Sequence, residues 1–438
     1  MKDVLLINTP ISSSARLPDP EINVPPIGLG YIYTKLKIHG IECQFLDAVV
    51  QSLLPQEIIE YIDQSQRYYI GLNVFSSNIS IVQAIVERVE APRHFLLGGP
   101  AIHTLISTIT SWKTRNNITI ISGEAENIVP RFIGGLVPSA KLSDSLRLVR
   151  VDPGSPDYPM DIDCPLDRSI FRNEPIQRPD LNLIEAHIIT SRGCKYNCAF
   201  CTAAQSMNPN VKPRHVTYEY LCREVEDILH KYPETTCIRI LDDLFLRDRK
   251  SIDIASKLFS ERNISWRSMA HVNTFKGLSY KELDEIKRSG CNELFLGIES
   301  GNDETLKRIR KPFTSTIAYE TVSRIIDAQI PVKCYFILGF PGETESQVSD
   351  TLELASRLKE YANTRNVRLR ISPFQFRPYH GTSLYTELVE QGVSVDIRNR
   401  IDLGTENTDP FDCIAGIFAE YDQETLDQYL HKIKGLSS

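Results

Sequence analysis

The sequence predicts an α/β protein: an N-terminal doubly wound domain, then a partial (β/α)6 barrel, then a small C-terminal region. Three observations carry this expectation. Short apolar runs alternate with helix-like segments through the first third, a proline-rich stretch interrupts them, and six further strand-helix alternations follow. At 438 residues the chain has room for two or three folding units with sizeable cores. Its 49 basic and 56 acidic side chains give a formal charge of −7, which disfavours a nucleic-acid partner. No stretch reaches the roughly 18 apolar residues of a bilayer span, and the start lacks a signal peptide's apolar centre, so a cytoplasmic protein without a membrane partner is expected.

In the first domain, residues 1–135, strands are expected at VLLIN (4–8), FLD (ending at Asp47), YIGLNV (69–74), HFLLGG (94–99) and ITIIS (118–122). Pro25 and Pro26 suit the first turn of a helix and Gly40 its end. Residues 136–183 carry prolines at 138, 153, 156, 159, 165, 175 and 179 and read as a connector that packs across its neighbours. The barrel, residues 184–386, has strands expected at 184–190, 237–242, 264–272, 292–299, 331–338 and 366–376. Capping boxes at Ser279/Glu282 and Thr344/Gln347 mark two helix starts, and Gly290 ends the first of these helices. Residues 387–438 are mixed, with a last helix at 422–434.

Ten cysteines are too sparse for a disulfide scaffold, and seven of them are scattered singly, Cys164 of the connector among them. The remaining three, Cys194, Cys198 and Cys201, fall within TSRGCKYNCAFCTAA directly after the first barrel strand. The CxxxCxxC spacing gathers three thiols around one point. Thiolates are soft ligands for zinc or iron-sulfur centres, and three of them leave a coordination position open. Zinc would want a fourth ligand, and neither His187 nor His215 stands in finger spacing.

This segment resembles the signature of the radical S-adenosylmethionine (SAM) superfamily, CxxxCxΦC, with Phe200 as its aromatic. The resemblance implies that the three cysteines hold three irons of a four-iron four-sulfur (4Fe-4S) cluster while SAM chelates the fourth. Reductive cleavage of SAM then yields a 5′-deoxyadenosyl radical, with electrons from a reducing partner such as flavodoxin or ferredoxin. It also implies SAM contacts at the strand ends. Asp242 or Asp243 of ILDDLF would meet the methionyl amino group, the other being a helix cap; Glu299 and Ser300 of LFLGIESG would meet the ribose; Gly339 of ILGFPGET would let backbone approach adenine. The third strand ends at His271, where relatives carry arginine, and reads as a buried structural histidine. On the last strand Arg370, Ser372, Gln375 and Arg377 alternate toward one face, within reach of a polar substrate, although Arg368 and Arg370 read equally well as solvated edge residues.

The N-terminal text LLINTP, PPIGLGYIYTKLKIHGIECQFLDA, LNVFSSN, LGGPAIH and SGEAE resembles the cobalamin-binding domain of one radical SAM class. By that likeness the corrin lies over the carboxyl edge of the sheet, with Ser76, Ser77, Gly98 and Gly99 as contacts. The DxHxxG motif whose histidine binds cobalt elsewhere is absent, which implies a His-off cofactor or none. The function expected is cobalamin-dependent methyl transfer to an unactivated carbon of a small-molecule or peptide natural product. The alternative is dehydration, epimerisation or rearrangement of a sugar-like substrate with a vestigial front domain.

Overall fold

A computed structural model describes residues 3–11, 24–150, 166–204, 207, 213–395, 398–399, 413–414 and 416–437. Cys164 and the middle of the expected connector lie outside the described residues. The chain divides into two compact units, one comprising residues 1–174, 379–381 and 397–413 and the other the remainder.

The first unit is built on β1 (Val4–Asn8), β2 (Cys43–Asp47), β3 (Tyr69–Asn73), β4 (His94–Gly98), β5 (Asn117–Ser122), β6 (Ala140–Lys141) and β7 (Leu146–Arg150). They form one sheet in the order β2-β1-β3-β4-β5-β7-β6, parallel except for β6. Successive residues of a strand face opposite sides, and here both sides are apolar. Leu5, Ile7, Leu72, Phe95 and Ile120 pack with α2 (Pro55–Gln64) and α3 (Ile79–Arg88) through Ile58, Ile62, Val82 and Ile85. Val4, Leu6, Leu96 and Ile121 pack instead with Leu36, Val129 and Ile133, which lie on α1 (Ile27–Ile38) and α5 (Ile128–Ile133). A short α4 (Ile106–Thr110) completes the first layer. The sheet runs past residue 135. LRLVR of β7 is an apolar-polar alternation set between Pro138 and Pro153, and it adds to β5 with Leu146 and Val149 buried.

The second unit opens with β8 (Ile176–Arg178), an antiparallel edge to β9 (Leu183–Ile188). A ribbon of β10 (Ser191–Arg192) and β11 (Arg214–His215) follows. β12 (Cys237–Ile240), β13 (Ser265–Ala270), β14 (Cys291–Glu299), β15 (Val332–Leu338) and β16 (Leu369–Gln375) continue the curved sheet in the order β16-β15-β14-β13-β12-β9-β8. All six expected barrel strands are present and parallel to one another. The connecting helices are α6 (Tyr218–Lys231), α7 (Arg249–Ser260), α8 (Val272–Phe275), α9 (Tyr280–Arg288), α10 (Asp303–Arg308), α11 (Ser315–Asp327) and α12 (Glu345–Thr364). α13 (Ser383–Glu390) and α14 (Gln423–Gly435) close the series. Both capping boxes form: the Ser279 and Thr344 hydroxyls accept from the Glu282 and Gln347 amides at 3.3 Å each, and the N3 side chains bond back. Gly290 ends α9 at φ +89°, a left-handed conformation that favours glycine.

A charged layer lies near the amino ends of the barrel strands. Arg267 of β13 bonds Glu293 of β14 from Nε (3.1 Å) and Nη2 (2.5 Å) and pairs with Glu185 of β9. Arg370 of β16 bonds both oxygens of Glu293 at 2.8 and 2.6 Å. This placement revises the expectation for Arg370, which is committed to an ion pair at the end of the barrel opposite the cysteine loop. Burial opposes ionisation of Glu293, but Arg370 and Arg267 outweigh it and hold its carboxyl below the usual range. The stability this confers is present above the unfolded carboxylate pKa of about 4.3 and is lost as pH falls through the lower folded value. Glu293→Ala leaves two guanidinium groups without their shared partner and is expected to cost about 3–5 kcal/mol in urea unfolding. A loss below about 1 kcal/mol would mean that the network behaves like a solvated surface pair.

Candidate active site at the carboxyl ends of the barrel strands

The cysteine loop leaves β9 at the carboxyl end of the sheet, and its ends are tied down. The β10–β11 ribbon pairs Ser191 with His215 and Arg192 with Arg214, closing the base of the loop. Asp242, two residues beyond β12, accepts from the Thr190 amide (2.6 Å), the Thr190 hydroxyl (2.5 Å) and the Ser191 hydroxyl (2.6 Å). Within the loop, the Ala199 amide donates to the Ile309 carbonyl at the end of α10 (3.0 Å). The Ala199 carbonyl accepts from Leu384 of α13 (3.1 Å).

Cys194, Cys198 and Cys201 are half-buried free thiols. Among the described residues no three His, Cys, Asp or Glu side chains form a ligand set for one metal ion. A cluster asks for something different, since each thiolate meets its own iron and the sulfurs ring a volume. Burial raises all three thiols. Lys311 pulls back on Cys198 and on Cys194, and Cys201 is pushed up to about 12. Ligation therefore has to release protons, as metal binding by thiols generally does.

The two aspartates of ILDDLF divide their work. Asp242 is buried and saturated by Thr190 and Ser191; burial raises its carboxyl to about 6 against the pull of these hydrogen bonds. It anchors the loop. Asp243 keeps an open face although protein surrounds it, so burial raises its carboxyl while the Gly193 amide and Arg192 draw it down. Asp243 also lies close enough to Cys194 to raise that thiol. Of the two, Asp243 is the one facing the cluster loop with an available carboxylate.

At the end of β14, Glu299 adopts φ +72°, rare for a residue with a side chain, where the register with β15 shifts between Gly297 and Glu299. Its carboxylate pairs with Lys311 at 2.9 Å, and the same ammonium donates to the Gly297 carbonyl at 2.9 Å. A Cβ on Gly297 would stand 2.3 Å from Glu299 Oε1, so glycine gives the carboxylate its seat. Ser300 is fully buried, and its hydroxyl is shared with Thr351 Oγ1 (3.1 Å) and the Asn302 amide (3.1 Å). That leaves Glu299 as the member of the pair with its carboxylate at the site.

Aromatic rings wall the loop. Tyr196 stacks on His271 with centroids 3.7 Å apart, and Phe313 meets His271 edge-on at 5.6 Å. The Asn273 amide donates to His271 Nδ1 (3.1 Å), which places the ring proton on Nε2, and Nε2 has no protein partner. Burial and three nearby lysines, Lys311 first, lower the imidazole to about 2, so it is a neutral donor. Phe200 lies 5.7 Å from Phe340, which continues to Phe376 at 5.2 Å. Gly339 follows β15 at φ +84°, and its amide donates to Glu343 (2.6 Å), which also accepts from the Tyr421 hydroxyl (2.6 Å). Burial raises Glu343 to about 7. Gln375, expected to face a substrate, instead donates to the Gly416 carbonyl at 3.2 Å.

Three thiols, the neighbouring carboxylates Asp243 and Glu299, and an unpartnered imidazole N–H form a donor set suited to an iron-sulfur cluster and a cationic nucleotide. Sequence reading missed Lys311, because a lysine between Arg310 and Pro312 looks like a solvated surface charge.

In the first unit, Ser76, Ser77, Gly98 and Gly99 follow or end the neighbouring strands β3 and β4 at the carboxyl edge. Ser76 is buried and accepts from the His380 amide at 3.2 Å. Gly99 has φ +140°, and a Cβ there would stand 2.3 Å from the Val74 carbonyl, so backbone packing alone requires glycine. Gly98 would meet only an ordinary contact with Ile121.

Residues 188–355 match the family described as the radical SAM superfamily. The chain is 25% identical over 379 residues to an uncharacterised methyltransferase of Pyrococcus horikoshii, covering 82% of this chain and 78% of that one. It is 23% identical over 363 residues to the bacteriochlorophyllide d C-12(1)-methyltransferase of Chlorobaculum tepidum, covering 80% and 72%. The solved radical SAM methyltransferase TsrM of Kitasatospora setae superimposes with a TM-score of 0.67 at 13% identity, covering 100% of this chain and 89% of that one. Residues 188–355, from the end of β9 into α12, are thus the part of the chain that is similar to the radical SAM superfamily. The superposition shows a shared fold over the length of this chain. Among the described residues no helix is long and apolar enough to cross a membrane.

Asp242→Ala removes the acceptor of three buried donors. Leaving even one unsatisfied costs about 1–3 kcal/mol, so hydrogen exchange across residues 190–201 is expected to accelerate by about tenfold or more. Asp243→Asn should leave that exchange unchanged. Equal exchange in the Asp242 variant and the parent would contradict the anchoring role.

Proposed function

We propose that this chain is a radical SAM methyltransferase that uses cobalamin to methylate an unactivated carbon of a small molecule or peptide. The observation that carries the reading is the tethered CxxxCxxC loop at the carboxyl end of the first barrel strand, facing Asp243 and Glu299. Both matched relatives and the superimposed structure are described as methyltransferases, and the likeness extends over both units of the chain. The cluster, once bound and reduced by a flavodoxin- or ferredoxin-like donor, supplies the electron that breaks a carbon-sulfur bond of SAM.

In this reading Cys194, Cys198 and Cys201 ligate the cluster. Asp243 accepts from the methionyl ammonium, and the His271 Nε2–H donates to the methionyl carboxylate. Glu299 accepts from the ribose hydroxyls, and Gly339 gives backbone access to adenine. Phe200, Phe340 and Phe313 exclude water, and with it competing hydrogen donors, from the reacting end. Ser76, Ser77, Gly98 and Gly99 would line the corrin.

A second reading, dehydration or rearrangement without cobalamin, draws on Gly99, whose conformation Val74 already explains, and on the missing DxHxxG motif. Anaerobic reconstitution with iron, sulfide and hydroxocobalamin, then reduction and addition of SAM, separates the two. The methyltransferase is expected to retain both cofactors and to form 5′-deoxyadenosine and S-adenosylhomocysteine. Alanine at any of the three cysteines should abolish 5′-deoxyadenosine at least about a hundredfold, as loss of an essential ligand does. Retention of the cluster without corrin, with 5′-deoxyadenosine as the sole product, would favour the second reading.

A further inference from the structure

We propose that Lys311 is the fixed counter-charge of the cluster site and the residue that positions Glu299 for the nucleotide. The inference rests on the cysteine loop holding an iron-sulfur cluster. It goes beyond that reading by giving one unassigned side chain a role in setting the reactivity of the cluster.

The chain builds a place for this lysine. α10 ends with Arg310 at φ +60°; the Arg310 amide bonds the Lys307 carbonyl (3.1 Å) and the Lys311 amide bonds the Leu306 carbonyl (2.8 Å). This is a Schellman ending in which arginine takes the left-handed position usually given to glycine. The turn sends the next side chain inward, where Glu299 and the Gly297 carbonyl receive the ammonium. Gly297 is needed on the other side, because a Cβ there would also stand 3.2 Å from Lys311 Nζ. Two strained backbone positions, Glu299 and Arg310, and one obligatory glycine therefore converge on a single ion pair. Strain of this kind persists where surrounding structure enforces it, and it collects at functional sites.

The surroundings give the pair its meaning. Lys311 Nζ lies 5.7 Å from the Phe200 ring centroid and 5.8 Å from that of Phe313, with Phe200 directly preceding Cys201. The lysine side chain is only 6% exposed, and its charge acts on all three cysteine thiols. Burying an ammonium beside one carboxylate is a poor route to stability, since an apolar pair of similar size often does as well. A thiolate-held cluster carries net negative charge and gains more on reduction. A buried cation that cannot move away therefore favours the reduced state and makes the electron easier to accept. Lys195, the lysine within the cysteine loop itself, spends its ammonium on the Arg247 carbonyl at 2.7 Å and is exposed.

The test uses the full-length protein, reconstituted anaerobically, with redox titration followed by the electron paramagnetic resonance signal of the reduced cluster. Lys311→Met is expected to shift the midpoint potential to more negative values, and Lys311→Arg to stay close to the parent. SAM affinity should fall roughly tenfold in Lys311→Met, the size of one charge-assisted hydrogen bond lost through a loosened Glu299. Cluster loss from the methionine variant alone also supports the role of the charge. A midpoint unchanged in Lys311→Met, or equal loss of cluster from both variants, overturns the inference by showing that shape rather than charge matters. Failure of the parent protein itself to take up a cluster overturns the reading of the cysteine loop beneath it.

Discussion

The carboxylate of Asp242 holds the first end of the cysteine loop, and the rest of the site depends on it. Three thiols on a loop are of little use unless their backbone is fixed before a cofactor arrives, because ordering that loop on binding would cost conformational entropy at every residue. Asp242 fixes Thr190 and Ser191 through one amide and two hydroxyls. The Ala199 peptide, held between α10 and α13, fixes the middle. Cys194 and Cys198 lie between these anchors and Cys201 just beyond the second, all three half-buried free thiols.

The barrel separates stability from chemistry along the strand direction. Near the amino ends, Glu185, Arg267, Glu293 and Arg370 lock neighbouring and more distant strands through buried ion pairs. At the carboxyl ends, Asp243, Glu299, His271 and Gly339 surround the loop, in keeping with the general placement of sites in parallel α/β folds. The C-terminal segment belongs to the second arrangement. The Gly342 amide donates to the Phe418 carbonyl (2.8 Å), the Glu420 amide to the Glu343 carbonyl (2.9 Å) and the Tyr421 hydroxyl to Glu343. The glycine-rich turn after β15 is thereby braced from outside the barrel's own sequence.

Much of this was legible in the sequence, for identifiable physical reasons. Parallel strands covered on both faces are continuous apolar runs, so Val4–Asn8 and Val332–Leu338 stand out in plain text. Capping boxes and the cysteine spacing are local signals that read directly. What stayed hidden depends on long-range contacts. Asp242 and Asp243 are adjacent and chemically identical, and only Thr190 and Ser191, some fifty residues earlier, tell which of them anchors the loop. Ser300 looks like a ribose partner until Thr351 of α12 is seen to share its hydroxyl. Lys311 reads as a surface charge, and Arg370 as a possible substrate contact, until their buried carboxylate partners are known. β7 escaped because the prolines on either side of it suggested an irregular connector.

The central claim is that Cys194, Cys198 and Cys201 leave one iron of a bound cluster for SAM to chelate. It is tested most directly by the paramagnetic resonance spectrum of the reduced, reconstituted protein with and without SAM. Direct chelation predicts a clear change in g-values and relaxation when SAM is added, and loss of that change in the Asp243→Asn and Glu299→Gln proteins. A spectrum identical with and without saturating SAM would contradict the account.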